Sequence, residues 1–157
     1  MFENIFKTWR LFLFRLRINI YPPYAGAGIR VHHIAPDFTT FDISMKLSFY
    51  NKNYFGTQFG GSLYSMCDPF FVFILVQNLG RGYIVWDKQS LIQFMKPGRG
   101  TVHAHVHIPL EKIRELKQLA DEKGKVEPVL PIDLKDDDSN VIAHVEKTLY
   151  IRRKNPS

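Results

Sequence analysis

The stretch from Phe59 to Leu79 contains one acid, Asp68, and no lysine or arginine. Wound as a helix it is apolar around most of its circumference, so it has no face to offer water and other structure must enclose it. Pro69 lies inside the stretch and predicts a kink just after Asp68, because proline lacks the N–H that the helix ladder needs there. Most of the remaining chain reads as strand. The expected class is therefore α+β, a largely antiparallel sheet wrapped as a single layer around one long helix.

The flanking segments supply that sheet. Gly28 to Ile34 is a short extended piece, and Phe41, Ile43, Met45, Leu47 and Phe49 alternate with polar residues as in a half-buried strand. Further strands are expected over Tyr83–Met95, Thr101–Ile108, Val126–Leu134 and Val141–Arg152, the last two joined across the polar turn Asp136–Asn140. Glu111 to Glu122 reads as a short charged helix ended by Gly124. At the N-terminus Phe2, Ile5, Phe6, Trp9, Leu13, Leu16 and Ile20 follow helical spacing with Lys7, Arg10, Arg15 and Arg17 interleaved, until Tyr21-Pro22-Pro23 stops the helix. Those arginines make the run too charged for a membrane span or a secretory signal. It is expected to be an amphipathic helix packed on its own domain or on a partner subunit, with a membrane surface as the alternative. The chain is read as one domain, 1–157, with this helix at 1–20 and a core at 25–157.

The 157 residues suffice for a core of independent stability. The single cysteine, Cys67, excludes an intrachain disulfide and fits a reducing compartment, so a cytoplasmic location is expected. A formal charge of +6 suits an anionic ligand or a phospholipid surface. It suits nucleic acid least, because the basic residues are scattered and neither zinc-finger spacing nor an RNP-like aromatic motif occurs. Thirteen Phe and seven Tyr imply a Phe-rich core, a wide apolar groove or a subunit interface.

Chemistry concentrates between Asn53 and Asp68. Asn53 precedes a turn containing Gly56 and Thr57; Gly60 and Gly61 open the apolar helix; Asp68 follows seven residues after the second glycine. Glycines at a helix start leave backbone N–H groups open to a developing anion. A carboxylate in an otherwise apolar segment is seldom there without a partner or a task.

This run, in this order of elements, resembles the hotdog fold, in which a curved antiparallel sheet wraps a central helix. It is most similar to acyl-CoA thioesterases of the phenylacetate-pathway type. Their motif has Asn, a short turn, Gly-Thr, His-Gly-Gly and then an acid seven residues on. The wording Gly-Gly-Ser-Leu-Tyr-Ser-Met with Asp-Pro also resembles bacterial hotdog proteins known only as thioesterase-like. The resemblance implies hydrolysis of an acyl thioester, with Asp68 as base or nucleophile, the Gly60 amide as oxyanion donor, and Asn53 positioning substrate or water. It places Gly61, Phe59 and Asp87 beside the substrate, and Lys96 and Arg99 near the phosphates of coenzyme A. Coenzyme A enters only as part of the substrate, with an acyl carrier protein as the alternative carrier, and no other cofactor is expected. The resemblance also implies a homodimer or homotetramer, formed by pairing the strand after the helix, with sites at the subunit boundary. Two departures stand out: Phe59 replaces the motif's His, and Pro69 directly follows the acid.

Each residue also has a plainer reading. Asn53 can be a turn residue, Asp68 a structural acid bonded to nearby backbone, and Lys96 and Arg99 a solvated turn. Cys67 reads as an inert buried thiol, since no adjacent His would activate it. His103, His105 and His107 alternate on one strand about 7 Å apart, which suits a polar outer face better than a metal. A non-catalytic hotdog protein that binds acyl-CoA or a fatty acyl chain is the alternative function. The enzymatic reading requires the Asp68 carboxyl to face the cavity at the amide end of its own helix.

Overall fold

The structure, a computed structural model, describes residues 2–154. Helix α1 spans Phe2–Ile20 and a second, short helix α2 spans Pro22–Ala27. The prolines that stop α1 restart the chain, because proline at the first helical positions loses no hydrogen bond. Strands β1 (Ile29–Ile34) and β2 (Thr40–Lys46) follow, then helices α3 (Gly60–Ser65) and α4 (Phe70–Leu79), then β3 (Tyr83–Phe94) and β4 (Thr101–His107). Helix α5 (Leu110–Lys123) leads into β5 (Lys125–Val126), β6 (Val129–Asp136) and β7 (Val141–Arg153).

The strands form one antiparallel sheet in the order β1-β2-β4-β6-β7-β3, with β5 pairing the far end of β7. The expected strand over Val126–Leu134 is divided at Glu127-Pro128, where proline cannot donate to the ladder. Strand β2 stops at Lys46, short of Phe49, which lies 79% exposed in the following loop. Strand β3 forms one edge of the sheet, and its long antiparallel partner is β7.

The enclosed helix is broken, not merely kinked. Pro69 has no N–H for the Ser65 carbonyl; the Asp68 N–H takes that carbonyl instead, at 3.3 Å, and α4 restarts at Phe70. Phe70, Ile74 and Leu75 of α4 are fully buried against Phe41, Val102 and Val145 of the sheet core. Phe14, Phe38, Phe41, Phe70 and Phe73 form a continuous aromatic cluster with ring separations of 5.3–6.5 Å. Part of the phenylalanine content is thus core. Another part is not: Phe49, Phe55, Phe59 and Phe94 are all more than half exposed.

Helix α1 packs on its own domain, but not by the stripe that the sequence singles out. Ile18 is buried and Leu11 and Phe14 pack against the core, whereas Trp9, Leu13, Leu16 and Ile20 face outward. The side chains of Phe2, Ile5, Phe6 and Lys7 lie outside the described set.

Candidate active site

From Ala143 onward strand β7 alternates, sending Ala143, Val145, Leu149 and Ile151 into the core at 0% exposure. The residue in the middle of that series is Lys147, equally buried. An ammonium in such a place must be paired. Its Nζ donates to Asp68 Oδ1 at 2.7 Å and to Asp87 Oδ2 at 2.9 Å, and lies 5.3 Å from the centre of the Tyr64 ring. Asp87 comes from β3, next to β7 in the sheet, and Asp68 from the turn between α3 and α4. Nearby, the Tyr64 hydroxyl donates to Ser90 Oγ at 3.1 Å. The sequence expectation named both acids but not the lysine that joins them.

Three charged groups joined by hydrogen bonds cannot titrate independently. Burial raises the Asp87 carboxyl, and its contact with Asp68 adds to the effect, so its pKa lies at about 6. Burial also works to raise Asp68, but hydrogen bonding from Asp87 and Lys147 outweighs it and holds Asp68 below the ordinary carboxylate value. For Lys147 burial favours the neutral amine, yet its bonds to the two acids prevail and raise its pKa. The consequence is a cluster that is neutral below pH ~6 and carries one net negative charge above it. Asp87 Oδ1 is buried without a hydrogen-bond partner, which leaves a negative charge on this carboxyl poorly compensated and agrees with its raised pKa.

Asp68 is the exposed member. Its side chain is 43% accessible against 20% for Asp87 and 1% for Lys147. Its backbone is held separately, by the Tyr24 hydroxyl, which donates to the Asp68 carbonyl. Its carboxyl is bonded to Lys147 and not to neighbouring backbone, so a purely structural Asp68 would act as the partner of a buried lysine. Adjacent Cys67 is fully buried, and burial pushes its thiol up to about 12, which leaves it protonated and inert.

The helix-start end forms a different surface. A cavity of about 510 Å³ is lined by Asn53, Gln58, Gly60, Phe94, Lys96 and Arg99, among others. Asp68 does not line it, so within one protomer the carboxyl and the Gly60 amide do not share a cavity. The reason is the helix break: after Ser65 the chain turns toward β3 and β7, and Lys147 holds the carboxyl there. Asn53 is occupied by its turn, its Oδ1 accepting from the Phe55 and Thr57 amides and its Nδ2 donating to Thr57 Oγ1 and the Gln58 carbonyl. Lys96 Nζ donates to Asn140 Oδ1 at 2.8 Å, and Arg99 is exposed. Gln58, a residue the sequence reading passed over, lines this cavity while 3% exposed. Its Nε2 donates to the Met45 and Gly100 carbonyls, and its buried Oε1 has no partner.

Close packing explains the glycine pair. A Cβ on Gly60 would stand 2.9 Å from the Phe94 ring, and one on Gly61 would stand 2.5 Å from the Phe59 ring. Phe59 therefore folds over the helix start in the place of the motif's His. On the opposite side of the sheet His103, His105 and His107 point outward and bond to Asp137, Asp42 and Thr40. They form a polar face, and among the described residues no three His, Cys, Asp or Glu converge on a metal site.

Residues 10–151 match the model of a family described as a domain of unknown function, DUF4442. No protein of curated function matches the sequence. Among solved structures, a Pseudomonas aeruginosa protein of unknown function, described as a "probable thioesterase", superposes with a TM-score of 0.81 at 21% identity over 90% of this chain and 95% of that one. The Escherichia coli PaaI protein from the phenylacetic acid degradation operon gives 0.62 at 16% identity over 96% of each chain. A Haemophilus influenzae thioesterase gives 0.63 at 13% identity over 87% of each. At such identities the likeness establishes the architecture, and that architecture is the hotdog fold.

Proposed function

Because the chain belongs to the DUF4442 family, whose description names no reaction, we propose one from the site itself: hydrolysis of an acyl thioester, with coenzyme A as the carrier. The observation that carries this reading is the half-exposed Asp68 carboxylate, tied through one buried lysine to a second carboxylate of pKa about 6. Asp68 alone, held low, would be ionised but weakly basic. Coupled to Asp87, it belongs to a pair that binds a proton near neutrality, as a water-activating base requires.

In this reading a water molecule attacks the thioester carbonyl and gives its proton to Asp68, which shares it with Asp87. The carbonyl oxygen becomes an oxyanion held by the Gly60 amide, and one such donor is worth about 3 kcal/mol. The C–S bond then breaks and the proton passes to the departing thiolate. Lys147 touches no substrate; it is a positioning residue that keeps Asp68 ionised and aimed. Arg99 and Lys96 would contact the phosphates of coenzyme A.

The carboxylate and the oxyanion donor come together if two copies pair along β3. That strand is an unpartnered edge among the described residues, with Trp86, Leu91 and Phe94 exposed along it. Gly60 packs at the Phe94 end of β3, whereas Asp68 lies by Asp87 toward the other end. Antiparallel pairing would set the Phe94 end of one strand beside the Asp87 end of its partner. Each site would then combine Asp68 of one copy with the Gly60 cavity of the other, and Phe55, Phe59 and Phe94 would be covered.

A second reading, a non-catalytic acyl-CoA binder, is favoured by the Phe59 ring over Gly61 and by the full occupation of Asn53 within its turn. A panel of acyl-CoA thioesters assayed with the native chain and with Asp68→Asn separates the two. Hydrolysis that falls by about 10²-fold or more in the variant supports catalysis by Asp68. Equal turnover by both proteins refutes it, and retained acyl-CoA without turnover favours the binder.

A further inference from the structure

Helix α1 carries apolar residues on two opposite faces. At about 100° per residue, Trp9, Phe12, Leu13, Leu16 and Ile20 fall within an arc of about 100°, while Leu11, Phe14 and Ile18 lie on the other side. The second group packs on the domain. The first is open: Trp9 is 58% exposed, Phe12 47%, Leu13 and Leu16 43%, and Ile20 63%. Tyr21, 53% exposed, follows directly. An exposed apolar face of this length, with aromatic residues at both ends, is not what a helix surrounded by water carries.

Its charge is as one-sided as its shape. From residue 4 to residue 36 the sequence has no Asp or Glu, yet it holds Lys7, Arg10, Arg15, Arg17 and Arg30. Nearly all of the chain's net charge of +6 therefore resides in this segment. On the helical wheel Arg10 and Arg17 flank the open stripe on one side and Arg15 on the other. Arg15 donates to the His32 carbonyl and Arg30 to the Asn19 carbonyl, neutral partners that leave the positive charge uncompensated. Beyond Arg17, on the packed side of the helix, lies a slot of about 420 Å³ lined by Phe14, Tyr21, Tyr24, Pro69 and Phe73.

We infer that the outer face of α1 docks the protein on anionic phospholipid membranes, lying in the plane of the interface with its stripe among the acyl chains and its arginines at the headgroups. The charge complementarity selects this occupant. A second copy of the chain would bring the same uncompensated arginines against one another, whereas an anionic lipid surface attracts them, each basic residue near it adding to binding. Helices of this composition partition to the interface instead of spanning it. The inference does not depend on thioester hydrolysis.

Co-sedimentation of the full chain with phosphatidylcholine vesicles, with and without phosphatidylglycerol, tests it. Binding is expected only with the anionic lipid and is expected to weaken as salt rises. In a Trp86→Phe background, Trp9 fluorescence should shift to the blue on binding. Leu13→Glu combined with Leu16→Glu replaces two exposed side chains, so folding should be preserved, as a thermal melt will show. This variant should bind at least tenfold more weakly, and Arg17→Glu about tenfold more weakly. Three outcomes would overturn the inference. One is no binding to phosphatidylglycerol vesicles at low salt; another is binding indifferent to the two leucines. The third is self-association lost in the leucine variant while vesicle binding is absent throughout.

Discussion

Replacing Lys147 by methionine isolates the electrostatics of the buried cluster. Methionine is one heavy atom shorter than lysine but close to it in volume and equally unbranched, so little cavity is created and the change is chiefly the loss of one charge. Lys147 is 0% exposed, and both of its acidic partners are left facing each other. Removing one member of a buried ion pair typically costs about 3–5 kcal/mol, because the partner charge stays desolvated. Here the cost must depend on pH. In the native protein Asp87 is raised from 3.8 to about 6, so the folded state binds a proton that the unfolded state has released between those values. This group's contribution to stability is therefore full below about pH 4 and is lost as pH rises through about 6. Without Lys147 the carboxyl pair should hold that proton more tightly, carrying one negative charge at about pH 5 and two at about pH 8. The Lys147→Met penalty should then be greater at the higher pH by about 1.5–3 kcal/mol, the worth of one to two pKa units.

Urea denaturation at the two pH values, followed by circular dichroism, measures the difference directly. The double variant Lys147→Met with Asp87→Asn removes one charge of each sign and should recover most of the stability lost at high pH. A penalty that is the same at both pH values, or a double variant no more stable than Lys147→Met, would refute the shared-proton cluster.

Other expectations follow from the same geometry. Arg99→Ala should raise KM for acyl-CoA about tenfold, the equivalent of about 1.4 kcal/mol, while leaving a thioester truncated to N-acetylcysteamine unaffected, as paired steady-state kinetics would show. Cys67→Ala should retain hydrolysis, and the native thiol should resist iodoacetamide until the protein is denatured, since a pKa near 12 leaves only about 10⁻⁴ of it ionised at pH 8. Leu91→Glu with Phe94→Glu on the free edge of β3 should shift sedimentation velocity toward the monomer. Hydrolysis should fall in proportion to the dimer lost, because each proposed site spans two copies.

Much of the fold was legible because its signals are local. The alternation in β4 and β7, the apolar helix and the Gly-Gly at its start all rest on spacing within one element. The breaks were less legible. Whether Pro69 kinks or interrupts a helix depends on whether other groups take the released carbonyls, and here the Asp68 N–H and the Tyr24 hydroxyl do so from positions that spacing does not reveal. Which face of α1 packs on the domain was not legible for a related reason: both of its faces are apolar, and only the packed domain shows which is covered. Lys147 did leave a trace. It occupies the inward parity of a strand whose neighbours on that face are Ala143, Val145, Leu149 and Ile151, and a lysine there signals a buried acid elsewhere. Asp68 was already suspected on the same grounds. Matching the two would have required the register that joins β7, β3 and the helix turn.

The separate holds on Asp68 bear on why an acid can work at a helix break. A carboxylate at the end of a frayed turn would ordinarily sample many orientations, and ordering it during reaction would add to the barrier. Here the backbone carbonyl is fixed by Tyr24, whose phenol burial keeps protonated and therefore a donor. One carboxyl oxygen is fixed by Lys147, which is itself immobilised in the sheet. The remaining oxygen is then directed without further loss of freedom, and it belongs to the most exposed group of the cluster. The break at Pro69 is thus compatible with a preorganised base, because the constraints that a continuous helix would have supplied come from α2 on one side and β7 on the other. Both Tyr24 and Pro69 also line the apolar slot beneath α1. Any movement of that helix on a membrane surface would therefore reach the backbone of Asp68 through Tyr24 and Pro69, as well as strand β1 through Asn19 and Arg15.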